Sequence, residues 1–332
     1  METVLTIIQG KGTLPREQAG RNIHYDDASL ANYKKVEQGD FIIHLRSFEG
    51  GLEMANEDGI VSPAYTILRC MKPHSSLFYE AYFHTDEFIN HILSKSVEGI
   101  RDGRQISYEA FKWLGLPYCD LSEQERIAQL FCTLSHRIEK QQQMVDALKK
   151  YKRGLIKLVF EKVMSEAHYQ LPLSDLCISI SSGRTTVNES NGRYPLFGST
   201  GIVGMTNTIE HDGDIVMVAR VGANAGKVNF FSGRCGVTDN TLVIRVKENT
   251  IHPKFLAYFL ENFDLHKLIF GSGQPLVTGG QLKKIQSPVI AYKAQLLITR
   301  SLESLDRIIG TQDTYMEKLI QLKSGLMQRL FI

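Results

Sequence analysis

The sequence holds few groupings that could make or break covalent bonds. Gly222-Ala-Asn-Ala-Gly-Lys227 has the small residues of a phosphate-cradling loop, but it lacks the GxxxxGK[ST] spacing. Val228 stands where that motif needs a hydroxyl, so a tight turn between strands accounts for the stretch better. The ten histidines form no HExxH pair. Glu80/His84 and Glu87/His91 have helical spacing, which a solvated helix face explains better than a metal site. No acidic nuclease pattern of the PD-(D/E)xK kind can be placed on strands, and no Asn-Pro-Pro-aromatic stretch occurs. What the chain does carry is non-reacting donors in or near glycine-rich loops. In the second half these are Arg184, Arg193, Arg220, Asn224, Lys227, Arg234, Gln274 and Thr278. In the first half they are Lys11, Arg16, Arg21, Arg46, Arg101, Arg104 and Gln105. Guanidinium, ammonium and amide groups suit the recognition of acceptor-rich surfaces. An exposed arginine in a glycine-rich loop is more often merely solvated.

The elements that must position these residues begin with a long helix. Ser122–Phe160 contains no proline and one glycine. Ile127, Leu134, Leu148 and Leu155 fall in one seven-residue series, interrupted by Gln141. Leu130, Met144, Tyr151 and Leu158 form a second, interrupted by Arg137, and Phe131, Ile138, Val145 and Val159 widen the stripe. Such spacing predicts one helix with an apolar seam. At 1.5 Å per residue it would span roughly 58 Å. A rod of that length needs a partner helix.

The sequence supplies one. Shifted by 171, the second half falls on the first: Gln124 and Ile127 land on Gln295 and Ile298, Lys152 on Lys323, and Phe160 on Phe331. The first series recurs as Ile298, Leu305, Gln312, Leu319 and Leu326, and the second as Ser301, Ile308, Tyr315 and Leu322. Upstream, Gly39-Asp40 matches Gly213-Asp214, and Ala81-Tyr82-Phe83 matches Ala257-Tyr258-Phe259. A globular unit followed by a long helix therefore occurs twice. Strands are expected at Phe41–Leu45, Tyr65–Leu68, Asp214–Ala219 and Thr241–Val246, and helices at Ser76–Leu93 and His252–Ile269. The first unit enters at Val4 with little upstream, so its opening strand is expected to be missing or differently supplied.

Composition narrows the class. Net charge is +2, residues 1–117 are net acidic and no segment is strongly basic, so any contact with a polyanion must come from local patches or a basic partner. The five cysteines have no paired spacing and read as free thiols of a reducing compartment. No apolar run approaches the length of a membrane span, which predicts a cytoplasmic protein without membrane contact.

In this order, the parts resemble the specificity (S) subunit of type I restriction–modification systems. "LSEQERIAQLF" with "LSHRIE" and "KRGLIKLVF" looks like that family's central spacer helix. "GDIVMVARVGANAGKV" and "VTDNTLVI" look like the core of its target-recognition domains, and "GSGQPLVTGGQLKKIQSPV" like the segment that closes one. "ASLANYKKVEQGDFIIHLRS" with "GIVSPAYTIL" resembles another class of the same domain. The resemblance covers essentially the whole chain.

It implies an α+β fold: two α/β target-recognition domains (1–119 and 163–290) separated by two long antiparallel coiled-coil helices (120–162 and 291–332), with a pseudo-two-fold internal repeat. It implies a non-catalytic subunit. Each domain would read half of a bipartite site in double-stranded DNA, and the helices would set the unread gap. Two methyltransferase subunits would dock on the helices, optionally with restriction and translocation subunits. The chain itself would bind no cofactor; S-adenosylmethionine, ATP and Mg would belong to those partners. The loop donors above become the candidates for base edges, while Lys283 and Lys284 reach phosphate or lie on a solvated face. Gln141 and Gln312, equivalent in the repeats, become candidates for fixing helix register. The competing reading is a coiled-coil scaffold whose globular modules bind protein.

Overall fold

The computed structural model describes residues 2–19, 27–43, 51–98, 105–186, 189, 191–269 and 275–331. Its α-helices are α1 (Ser76–Phe83), α2 (Tyr108–Phe111), α3 (Leu121–Glu166), α4 (Leu173–Leu176), α5 (Pro253–Phe263), α6 (Gly279–Lys283) and α7 (Tyr292–Leu330). The chain forms two compact units whose boundaries cut through both long helices. Unit 1 is residues 1–143 with 314–332, and unit 2 is residues 144–313. Helix α3 begins at Leu121 and α7 at Tyr292. Each compact unit takes part of both helices, and α3 runs on to Glu166.

Unit 2 is built on a four-stranded antiparallel sheet in the order Cys177–Ser182, Thr241–Val246, Asp214–Ala219, Val228–Ser232. The central strand Asp214–Ala219 is buried along nearly its whole length, as a continuous apolar run requires when both faces are covered. One face packs on α5 and the end of α3, where Phe160, Phe255, Leu256 and Ile244 are essentially inaccessible. The other face meets a smaller sheet, Gly201–Thr206, Tyr194–Gly198 and Gly236–Val237, through Phe197, Ile215, Met217 and Val243. Helix α5 stops at Phe263 because Asp264 adopts φ +56°, short of the expected Ile269.

Unit 1 is leaner. Strands Leu52–Met54, Phe41–Ile43 and Thr66–Leu68 form one antiparallel sheet, and α1 lays Phe78, Tyr79, Tyr82 and Phe83 against it. The helix expected to run to Leu93 breaks after Phe83 and resumes as a π-helical stretch over Glu87–Ile92. The opening strand is present: Leu5–Ile8 pairs with Gly12–Pro15, and Leu5 and Ile7 are buried beside Val36 and Val61.

Both units repeat one joint. The side chain of Gln124, early in α3, accepts from Ser75 N (2.9 Å) and donates to Cys119 O (2.8 Å). Gln295, early in α7, accepts from His252 N (2.8 Å) and donates to Ile290 O (3.0 Å). Ser75 and His252 are the N-cap residues of α1 and α5, so one buried amide ties each long helix to the start of the helix beneath it. The opposite helix closes each unit. Phe331 of α7 lies 5.1 Å from the Phe78 ring and 5.4 Å from Tyr82, while Phe160 of α3 lies 5.2 Å from Phe255 and 5.7 Å from Phe259.

Within each unit the helices run antiparallel. In unit 1, Phe131 stacks on Phe331, Ser135 meets Lys323 and Arg137 lies over Tyr315. In unit 2, Lys149 pairs with Asp313 and Lys152 with Asp306. The first heptad series is buried or half-buried throughout. The second is not part of the seam: Leu130, Met144, Tyr151 and Leu158 are 40%, 42%, 62% and 66% exposed, and Ile308, Tyr315 and Leu322 also face outward. The seam follows Ala128, Phe131, Val145, Ile156, Phe160 and Val163, because α1, α5 and the opposite helix cover only that side of the rod.

Candidate nucleic-acid interface

In unit 2 the strand ends bring some of the loop donors together. Gly222 (φ +78°) and Gly226 (φ +88°) fold residues 220–227 into the hairpin turn between Asp214–Ala219 and Val228–Ser232. Ala219 N donates to Lys227 O and Gly226 N to Ala219 O. The same turn holds the 275–278 segment, with Gly222 N on Pro275 O (3.1 Å) and Val277 N on Arg220 O (2.9 Å). Arg220 N bonds Asn240 O, and Gly183 N, beside Arg184, bonds Thr241 O. Arg184, Arg220 and Thr278 thus border one rim. Asn224 and Lys227 instead line an open cleft of about 600 Å³ with Glu261, Asp264 and His266. Arg193 is exposed beside Tyr194, and Arg234 donates to Asp212 at 3.0 Å.

Two candidates have local duties. The Thr278 hydroxyl caps α6, accepting from Gln281 N and meeting the Gln281 amide at 2.8 Å in a reciprocal box. Arg16 is half-buried with its guanidinium 5.9 Å from the Tyr33 ring centroid. Lys11, Lys283 and Lys284 are exposed, and Gln105 begins a short strand with Ile106. Arg21, Arg46, Arg101, Arg104 and Gln274 lie outside the described residues. Gln141 is buried and Gln312 half-buried.

Sequence reasoning missed the carboxylates behind these loops. In unit 1, Glu53 is 1% exposed and accepts from Gly10 N (2.7 Å) and Gly12 N (2.9 Å), pinning the turn that carries Lys11. His84 Nε2 lies 3.5 Å from Glu53, so Glu80/His84 is not the solvated face that its spacing implied. Burial alone would raise Glu53, but the His84 and glycine contacts hold it below the usual carboxylate range. Burial works to lower His84, and its contacts with Glu53 and Glu80 O outweigh that and raise it. The Glu53 contribution is therefore present above its ordinary 4.5 and lost as pH falls through the depressed value. The His84 contribution is present below 6.5 and lost as pH rises through the raised value. Amide exchange at Gly10 and Gly12, corrected for the intrinsic rate, is expected to lose protection as pH climbs above 6.5. In a His84→Asn variant that alkaline limb should flatten; an unchanged limb would exclude the pair as its origin.

In unit 2 the counterpart carboxylate is Glu210, which gathers the backbone of Arg184, Thr185 and Val237. Neither glutamate carries a local signal, since each accepts from residues far away in the sequence. Among the described residues, no three His, Cys, Asp or Glu side chains are grouped to hold a metal, and no helix is long and apolar enough to cross a membrane. All five cysteines are free thiols.

Residues 170–319 match the family model described as the Type I restriction modification DNA specificity domain. The Type I restriction enzyme EcoprrI specificity subunit of Escherichia coli is 28% identical over 123 residues, 37% of this chain and 30% of that protein. The MjaVIII specificity subunit of Methanocaldococcus jannaschii is 28% identical over 156 residues, 43% of this chain and 36% of that protein. The match spans about a third of the length of these curated relatives. The S subunit of a type I restriction–modification system from M. genitalium shares the fold with a TM-score of 0.65 at 14% identity, over 90% of this chain and 84% of that one. The matched segment, residues 170–319, is similar to the DNA specificity domain. Over that segment the chain is similar to type I restriction–modification specificity subunits, and it shares their fold. The scaffold reading is not favoured.

Proposed function

We propose that this chain reads a bipartite double-stranded DNA site for a type I restriction–modification complex and is itself non-catalytic. The observation that carries this reading is the DNA specificity domain match over residues 170–319, on a unit whose strand-end loops present Arg184 and Arg220 on one rim. Each unit reads one half-site through donors on base edges and phosphates. Helices α3 and α7 set the unread gap. At 46 residues, α3 spans roughly 69 Å, enough to separate two readers by one to two turns of duplex. The outward stripes Leu130, Met144, Tyr151, Leu158 and Ile308, Tyr315, Leu322 support docking of two methyltransferase subunits, one stripe on each helix. Restriction and translocation subunits complete a nuclease form. S-adenosylmethionine, ATP and Mg serve those partners, and the assembly works in the cytoplasm.

Methylome sequencing of a host with and without this gene tests the reading: a bipartite methylated motif should appear only with the gene. Matched four-residue insertions in α3 and α7 should lengthen the gap by roughly 6 Å, or about two base pairs. An unchanged gap would remove the ruler role. Applied to Gln141→Leu with Gln312→Leu, the same assay reads register: a second gap length should appear beside the native one, and a single unaltered gap would discard the register role.

A further inference from the structure

We propose that Glu210 is the positioning residue that presents Arg184 to DNA and so sets what unit 2 reads at that contact; this rests on the DNA-reading function above. The loop leaving strand Cys177–Ser182 is pinned at three successive residues. Gly183 N donates to Thr241 O at 3.0 Å. Arg184 N donates to both Glu210 oxygens, at 2.9 and 3.1 Å. Thr185 N donates to Val237 O (2.9 Å) and to Glu210 Oε2 (3.1 Å), and the Thr185 hydroxyl donates to the same oxygen at 2.6 Å. Val237 N, on the neighbouring sheet, completes the set at 3.3 Å.

Residues 183–185 have no slack. A Cβ at Gly183 would lie 2.3 Å from Val237 O, so only glycine lets the backbone approach this closely. Thr185 is buried and faces inward. Arg184 is exposed, and its guanidinium has no hydrogen-bond or ion-pair partner among the described residues. A fully anchored backbone under an unengaged guanidinium is what bidentate reading of a base edge or a phosphate needs, because the fork's orientation carries the specificity.

Glu210 keeps 18% of its side-chain surface and is anchored from behind, since its own N–H and that of His211 both donate to Cys235 O. Burial would raise its carboxyl. The Thr185 hydroxyl and the Arg184 and Val237 amides hold it below the usual range instead, so it remains a charged acceptor at neutral pH. In Glu210→Gln, an NH₂ replaces the oxygen that takes Thr185 and Val237, and donors then face donors. The loop should loosen while the apolar core of unit 2 is untouched.

The test is a double-mutant cycle on the full chain assembled with its methyltransferase partner, using duplexes that carry the methylated motif and single-base variants of each half. Arg184→Ala and Glu210→Gln should each weaken binding about tenfold through the same one or two positions of one half-site. The double variant should be no worse than either single. Glu210→Asp, which keeps the charge, should recover most of the loss. Additive losses would overturn the positioning role, as would a Glu210→Gln complex that binds like the parent while Arg184→Ala is impaired. Losses spread evenly over both half-sites would also overturn it, since that is what general destabilisation produces. If instead the parent complex binds DNA without sequence preference, the DNA-reading function itself fails, and the positioning role with it.

Discussion

Phe160→Ala should cost unit 2 about 3–5 kcal/mol, the range for deleting a fully buried aromatic ring. Phe160 is inaccessible to solvent, and its ring touches Phe255 and Phe259 on α5. The vacated space is bounded by the sheet and two helices, which are tied at Gln295 and at Lys152 and so cannot close over it. In urea, the transition reported by α5 amides should move to much lower denaturant. The equivalent substitution Phe331→Ala should act on unit 1, and more weakly, because Phe331 remains half-exposed. Equal losses in both units from Phe160→Ala would contradict the separate closure of each.

Lys152→Ala should be nearly as damaging. Its ammonium is 2.9 Å from Asp306, 3.3 Å from Glu261 and 5.3 Å from the Tyr258 ring, and Tyr258 donates to Asp306 at 2.6 Å. Removing it leaves two neighbouring carboxylates uncompensated. Breaking a buried pair costs about 3–5 kcal/mol, and the 36% and 45% exposure of the carboxylates brings the expectation here to about 2–3 kcal/mol. Burial works to lower the Lys152 pKa, but the two carboxylates outweigh it and raise it above the ordinary 10.5. The contribution is therefore fully present below 10.5 and is lost only as pH rises through the raised value. Urea midpoints should be insensitive to this group across the neutral range. Lys152→Met with Asp306→Leu should recover stability that Lys152→Ala loses; a double variant as weak as the single would show that the ring contact, not the charge, matters.

The repeat that was plain in the sequence does not extend to this chemistry. Lys323 occupies the place of Lys152, and Ser135 the place of Asp306, so Lys323 donates to a hydroxyl at 2.8 Å and burial lowers its pKa. A shift of 171 aligned the lysines but could not reveal that their partners differ. The same limit explains the misplaced second series. Heptad counting finds apolar positions, but the side of the rod that gets covered depends on α1, α5 and the opposite helix. Leu130 and Leu158 count as seam by spacing and lie outside it by contact. Strands Asp214–Ala219 and Thr241–Val246 were legible to the residue, because continuous apolar runs between glycine and polar turns admit few alternatives. Gln124 and Gln295 were visible as a matched pair, yet their role needed the N-cap residues Ser75 and His252 that they bind. Glu53 and Glu210 were invisible for the opposite reason: their partners lie along backbones that only tertiary structure brings close.

The shared helices also impose an order of completion. Every residue of unit 2 has been made once Asp313 leaves the ribosome, whereas unit 1 waits for residues 314–331 and for Phe331 in particular. The unit that comes first in the sequence is therefore the last that can close. Until then Phe78, Tyr82 and Phe131 lack their fourth ring. A nascent chain halted just past α5 would leave the Phe78, Tyr82 and Phe131 rings of unit 1 without Phe331, which makes the interval of translation between α5 and Phe331 the period of greatest exposure to misassembly.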